Sequence, residues 1–170
     1  MKKTRIIVLM GLFIALSVIF TRILRPVELP FVRVSFGFVI TSLSAIALGP
    51  VLAGVIAAIA DILGFFLFPA GAAFFPGFTL SALIAGIFYG LFLYKKPVSI
   101  FRVALAVLAV SLVVDLGLNS IWLSILYKKA WAVFISQRIL KTAIIFPVQI
   151  ALVYAVWKYI GSYYEKNFGN

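Results

Sequence analysis

Gly49-Pro-Val-Leu-Ala-Gly-Val-Ile-Ala-Ala-Ile-Ala-Asp-Ile-Leu-Gly-Phe-Phe-Leu-Phe-Pro69 decides the fold class. Between Pro50 and Pro69 it carries a single charge, Asp61, in an otherwise apolar run. At about 1.5 Å per residue, a helix of roughly 20 such residues crosses the hydrocarbon core of a bilayer. Pro50 suits a first helical turn, and Gly49-Pro50 closes the segment before it with a tight turn.

The same length and hydropathy criteria predict helices at about 4–24, 35–49, 50–68, 78–94, 99–126 and 131–165. The first stops before Pro26, and residues 25–33 form a polar connection. The second is the shortest. Residues 69–77 are apolar but hold Pro69, Gly71, Pro76 and Gly77, which predicts a loop at membrane depth. Such backbone is tolerated there only where it lines a cavity or packs against protein. Lys95-Lys96-Pro97 ends the fourth helix. The last carries Pro147 as a kink and ends in Trp157, Tyr159, Tyr163 and Tyr164, an interfacial belt. The expectation is an all-α integral membrane protein, one transmembrane domain over 1–170, with six helices and both termini cytoplasmic.

Composition agrees. Of 170 residues, 65% are hydrophobic and 11% charged, leaving too little polar surface to solvate a soluble exterior. Cysteine and histidine are absent, which removes thiol nucleophiles, imidazole bases and the usual transition-metal ligands. Glu28, Asp61, Asp115 and Glu165 are the only acids, too few for a hard-metal cage. The net charge of +11 does not mark a nucleic-acid binder, because the basic residues stand at the ends of apolar runs. Lys2, Lys3 and Arg5 precede 6–20 as in a signal peptide. No small-x-small cleavage site follows, so an uncleaved first span is expected.

With cytoplasmic termini, Lys2, Lys3, Arg5, Lys95, Lys96, Arg102, Lys158 and Lys166 lie inside. Arg22, Arg25, Arg33, Lys128 and Lys129 lie outside, with Arg138 and Lys141 along the last helix. The positive-inside bias is weak. The outer charges fit either headgroup contact and snorkelling or a basic vestibule for an anionic ligand, and as a set they fit the second better. Asp61, Asn119 and Arg138 each stand about eight residues from the outer end of a helix, roughly 12 Å deep. Three polar side chains on three helices therefore share one layer. Ionisable groups at such depth normally face an interior cavity, so this layer is read as a ligand site, with a structural Asp61–Arg138 ion pair as the alternative. Asp115, one turn deeper, is either a further polar contact or a helix–helix hydrogen bond.

Gly11-x-x-x-Ala15, Ala53-x-x-x-Ala57 and Gly86-x-x-x-Gly90 are small-residue seams. These pack a bundle's own helices or, where exposed, dock a partner. No Walker A sequence, no Gly-x-Ser-x-Gly elbow and no glycine-flanked intramembrane aspartate is present, so the chain is not expected to be an enzyme.

Arg33-Val-Ser-Phe36-Gly-Phe38, Gly49-Pro50-x-x-Ala53-Gly54, Asp61-x-x-Gly64-Phe65, Phe75-Pro-Gly-Phe-Thr-Leu-Ser-Ala82, Gly86-x-x-Tyr89-Gly90, Leu118-Asn-Ser-x-Trp-Leu123 and Arg138-x-x-Lys141 together span most of the chain. The chain resembles the substrate-binding S components of energy-coupling factor (ECF) vitamin transporters, most of all the folate-specific group. The Phe75–Ala82 run is its most specific piece. The resemblance implies a six-helix bundle in a bacterial plasma membrane, with a pocket open outward for folate or a reduced folate. It also implies a membrane coupling subunit and two ABC-type ATPases as partners, and no cofactor. A small-residue motif on the first helix, here Gly11 and Ala15, would dock the coupling subunit. Chemistry then suggests Asp61 and Asn119 for the pterin, Arg25, Arg33 and Arg138 for the glutamate carboxylates, and Phe36, Phe74, Phe75 and Trp122 as aromatic faces. Another small anionic or heterocyclic vitamin, or an assembly subunit without a ligand, are the alternatives.

Overall fold

The computed structural model describes residues 3–23, 27–29, 32–34, 36–69, 74–97, 99–128 and 130–161, with backbone alone at 27–29, 32–34, 133, 137, 140–141 and 160–161. Helix α1 (Lys3–Val18) runs on into a π-helical stretch, Ile19–Ile23. Strands β1 (Val27–Leu29) and β2 (Val32–Val34) follow, then α2 (Gly37–Leu48), α3 (Pro50–Leu67) and α4 (Pro76–Leu93). The next span is composite, built from α5 (Ile100–Ala109), a π-helical stretch over Val110–Leu118, and α6 (Asn119–Tyr127). Helix α7 (Trp131–Val156) ends in a third π-helical stretch, Trp157–Gly161.

Five helical stretches are long and apolar enough to cross a membrane: Lys3–Ile23, Pro50–Leu67, Pro76–Leu93, Ile100–Tyr127 and Thr142–Tyr159. Gly37–Leu48 is a shorter apolar helix. The surface is inverted relative to a soluble protein: Ile7, Val51, Phe66, Phe101 and Ile144 all stand well exposed, as expected of side chains that meet lipid.

The helix ends follow from local chemistry. Pro50 and Pro76 occupy first turns, where a missing N–H costs nothing. Ser99 caps α5 by accepting from the Arg102 N–H at 3.3 Å. Gly49 turns the chain at φ +89, a left-handed value that favours glycine, and the Tyr94 ring lies 3.3 Å from where a Cβ would stand. One correction concerns residues 25–33, expected as a plain polar connection. Val27 pairs with Val34, 28 with 33, and Leu29 with Val32 in an antiparallel hairpin. Its β-branched residues at 27, 32 and 34 favour that pairing.

Helices α3 and α4 share the most extensive interface. A Cβ at Gly86 would meet the Ala53 carbonyl oxygen at 2.6 Å, and one at Gly90 would overlap the Pro50 main chain. Main chain therefore lies against main chain, which gives close dispersion contact where lipid offers no hydrophobic drive. A core of Ala45, Ala53, Tyr89, Leu93, Val103, Val107, Val153 and Trp157 joins α2, α3, α4, α5 and α7 at one end of the molecule. Above it the helices part around a cavity.

Candidate functional site

The cavity holds about 440 Å³, within the roughly 300–1,000 Å³ usual for small-molecule sites. Every long helical segment contributes. Ser17, Thr21 and Arg22 come from the first span, Phe38 and Thr41 from α2, and Asp61 and Phe65 from α3. Phe78, Ser81 and Tyr89 come from α4, Asp115 and Asn119 from the composite span, and Arg138 and Gln149 from α7.

Phe65, Phe74, Phe75 and Phe78 crowd one part of this wall, with Phe66 and Trp122 packed against them from outside it. Phe65, Phe66 and Phe74 stand 5.2–5.7 Å apart by centroid. Phe75 lies 5.7 Å from Trp122 and 6.0 Å from Phe78. Gly77 makes the Phe75–Trp122 approach possible, since a Cβ there would sit 2.5 Å from one ring and 2.6 Å from the other. Trp122 Nε1 donates to Ser81 Oγ at 3.0 Å, which ties α6 to α4.

Two polar groups lie in the remaining wall. In the first, Arg22 Nη2 reaches Asp61 Oδ1 at 3.4 Å and the Asp61 carbonyl oxygen at 3.5 Å. Thr79 Oγ1 donates to Asp61 Oδ2 at 2.8 Å. The arginine side chain passes over Gly64, where a Cβ would come within 2.8 Å of Nε. This group ties the first span to α3 and α4. In the second group, Asn119 Nδ2 donates to Asp115 Oδ1 at 3.4 Å, and Arg138 Nη1 donates to the Asp115 carbonyl oxygen at 2.9 Å. Asn119 Oδ1 and Arg138 Nε are buried with no hydrogen-bond partner among the described residues. The Asn119 backbone N–H bonds to Val114 O, five residues back. That wider turn takes from the Asp115 carbonyl its α-helical partner, and Arg138 supplies another.

Asp61, Phe74, Phe75, Asn119 and Arg138 thus line one cavity. Phe36 and Trp122 stand behind its wall: Phe36 lies 6.4 Å from Phe38 by ring centroid, and Phe38 faces the space instead. Arg25 lies outside the described residues, and so does the side chain of Arg33. The Asp61–Arg138 pairing does not form; Asp61 takes Arg22, and Arg138 takes the Asp115 main chain. Sequence reasoning put Arg22 on the outer rim and missed this pair. The available signal was Gly64, one turn beyond Asp61, which leaves room for an arginine to cross α3. Gly11 and Ala15 lie away from the cavity and are exposed, with nothing within 4 Å of a Cβ at Gly11.

Stacking faces and carboxylates suit a flat heterocycle that carries hydrogen-bond donors on its edge. The family model for the ECF transporter substrate-specific component matches residues 5–163. The folate transporter FolT of Clostridium novyi (strain NT) is 43% identical over 160 residues, covering 94% of this chain and 92% of that protein. The folate transporter FolT of Leuconostoc mesenteroides subsp. mesenteroides is 39% identical over 157 residues, covering 89% and 83%. A crystal structure of FolT bound with folic acid superposes with a TM-score of 0.82 at 41% identity, covering 91% of this chain and 92% of that one.

Proposed function

Since the chain belongs to the substrate-specific components of ECF transporters, multi-pass membrane proteins, we propose that it captures folate or a reduced folate for uptake. The observation that carries this reading is the cavity itself: aromatic faces beside two acid-centred polar groups, in a chain whose relatives are folate transporters. The pterin would lie among Phe74, Phe75 and Phe78 with its polar edge toward the acidic groups. The glutamate carboxylates would reach toward the basic outer connection that holds Arg25 and Arg33, where arginine offers charge-assisted, bidentate bonds. The bundle would have six spans, with α2 the short one, and both termini in the cytoplasm. Isothermal titration of the purified chain with folic acid checks the assignment. Saturable one-to-one binding is expected, and absence of heat or thermal stabilisation at millimolar folic acid would overturn it.

Transport would require a membrane coupling subunit and a pair of ABC-type ATPases, because this sequence has no nucleotide-binding motif of its own. The α1 seam supports that role. Gly86, Gly90 and Ala53 are buried within the bundle, whereas Gly11 and Ala15 face outward with room above them. Gly11→Trp and Ala15→Trp should each abolish folate uptake in cells that supply the partner subunits. Folic acid affinity of the isolated variants should stay within about threefold of the original chain, since surface changes away from packed features perturb stability little. Loss of affinity would assign the seam to internal packing instead.

A further inference from the structure

We propose that the corner where α4 gives way to α5 binds the headgroup of an anionic phospholipid, through Lys95, Lys96 and Arg102. The site is separate from the cavity and does not depend on what the cavity holds. The alternating course of the helices brings Lys3, Arg5, Lys95, Lys96, Arg102 and Lys158 to one end of the molecule, where α1 begins and the Trp157–Gly161 stretch lies. The acids whose side chains are described, Asp61 and Asp115, both line the cavity instead. In sequence the two termini add Lys2 and Lys166 against a single acid, Glu165. Charge this one-sided at a bilayer surface draws its counter-ions from outside the chain, and lipid headgroups are the anions fixed there.

Local structure holds these cations in place. The Tyr94 ring lies against Gly49 at the end of α4. Lys95 follows in the left-handed region at φ +51, and its Nζ lies 5.4 Å from the centroid of that ring. Lys96 Nζ donates to the Leu91 carbonyl oxygen at 2.7 Å, which uses one of its three N–H groups and leaves two. Arg102 enters from the other side of the corner, its backbone N–H held by Ser99 Oγ in the first turn of α5. No carboxylate among the described residues pairs with any of the three. Closing free lysines on an anion costs side-chain entropy, and a site whose lysines are already tethered avoids much of that cost.

The neighbours identify the source of the anion. Ile100 and Phe101 stand exposed on the first turn of α5, directly before Arg102. Trp157 belongs to the same core cluster as Leu93 and Val103, so the end of α7 lies close by, with Lys158 and Tyr159 exposed. Basic and aromatic side chains at one level, with apolar ones beside them, are the pattern of a bilayer interface. Cations beside exposed apolar side chains match the order of groups along a phospholipid, phosphate and then acyl chain. A free phosphate would satisfy the cations and leave Ile100 and Phe101 in water. An acidic protein surface would do the same unless it carried its own apolar patch.

The test is a lipid titration of the full-length, detergent-purified chain followed by native mass spectrometry. Affinities for phosphatidylglycerol and for phosphatidylcholine of the same acyl chains are compared. The original chain should prefer phosphatidylglycerol on the order of 100-fold, the product of three basic contacts at about fivefold each. Lys95→Gln, Lys96→Gln and Arg102→Gln should each lower that preference about fivefold, and the triple variant should bring it to within about twofold of none. Lys128→Gln, an exposed lysine at the opposite end, should leave it unchanged within about twofold. The single variants carry the test should the triple variant fail to fold. Equal loss in Lys128→Gln overturns the proposal, because net charge alone would then account for the preference. Displacement of the lipid by excess glycerol 3-phosphate overturns it in favour of a free-phosphate site. A triple variant that keeps its lipid preference yet loses uptake overturns it in favour of an acidic protein partner.

Discussion

Gly90→Val is expected to destabilise the folded chain by about 3 kcal/mol or more, enough to leave little of it monodisperse in detergent. The added carbons would enter the Pro50 main chain at the start of α3. Neither backbone can rotate aside as a side chain would, so α3 and α4 must separate along the interface where Gly86 lies 2.6–2.7 Å, by its notional Cβ, from Ala53 and Gly54. Separation forfeits dispersion contact along the most extensive helix pair in the molecule. Gly11→Val makes the same chemical change on an exposed seam and should shift stability by no more than about 0.5 kcal/mol. Thermal midpoints of the two variants check the contrast. Equal midpoints would mean that the α3–α4 approach is looser than its geometry states.

The ease with which the sequence yields this fold differs from element to element. Apolar run length marks Pro50–Leu67 and Pro76–Leu93 clearly, because spanning a bilayer requires a minimum length and proline and glycine punctuate the ends. The hairpin is less visible. Val27-Glu-Leu29 and Val32-Arg-Val34 do alternate, but three residues per strand is too short for a period of two to stand out beside Pro26 and Pro30. The π-helical stretch Val110–Leu118 leaves no trace, since Ser111 and Asp115 keep an ordinary four-residue helical spacing and one widened turn does not change which residues are apolar.

The same limit governs the site. Depth, counted at 1.5 Å per residue, suffices to bring Asp61, Asn119 and Arg138 to one cavity. Counting along an axis carries no information about rotation around it. It cannot tell that Asp61 turns toward Arg22 while Arg138 turns toward the Asp115 carbonyl. Partner choice depended on features off the counted axis: the gap at Gly64 that admits the arginine, and the extra width of the π turn that exposes a carbonyl.

Arg22→Met should cost about 3 kcal/mol of stability, far above the 0–1 kcal/mol of an exposed pair. The two side chains are 10% and 26% exposed, and among the described residues the variant leaves the Asp61 carboxylate with Thr79 as its one hydrogen-bond partner. An uncompensated charge at membrane depth is what makes the loss large. Asp61→Asn removes the carboxylate charge while the guanidinium keeps the Asp61 carbonyl oxygen, so it should cost less, about 1–2 kcal/mol. Arg22→Met combined with Asp61→Asn removes both charges together. It should recover most of the loss, because a pair that holds its partners in place adds little beyond its own desolvation. Thermal midpoints of the four chains give the coupling directly. Folic acid binding by the double variant then separates structure from recognition. If Asp61 only joins the first span to α3 and α4, a double variant that folds must bind within about threefold of the original chain. A double variant that is stable yet blind to folic acid would return Asp61 to the ligand, and the structural ion pair would be an incidental use of a recognition residue.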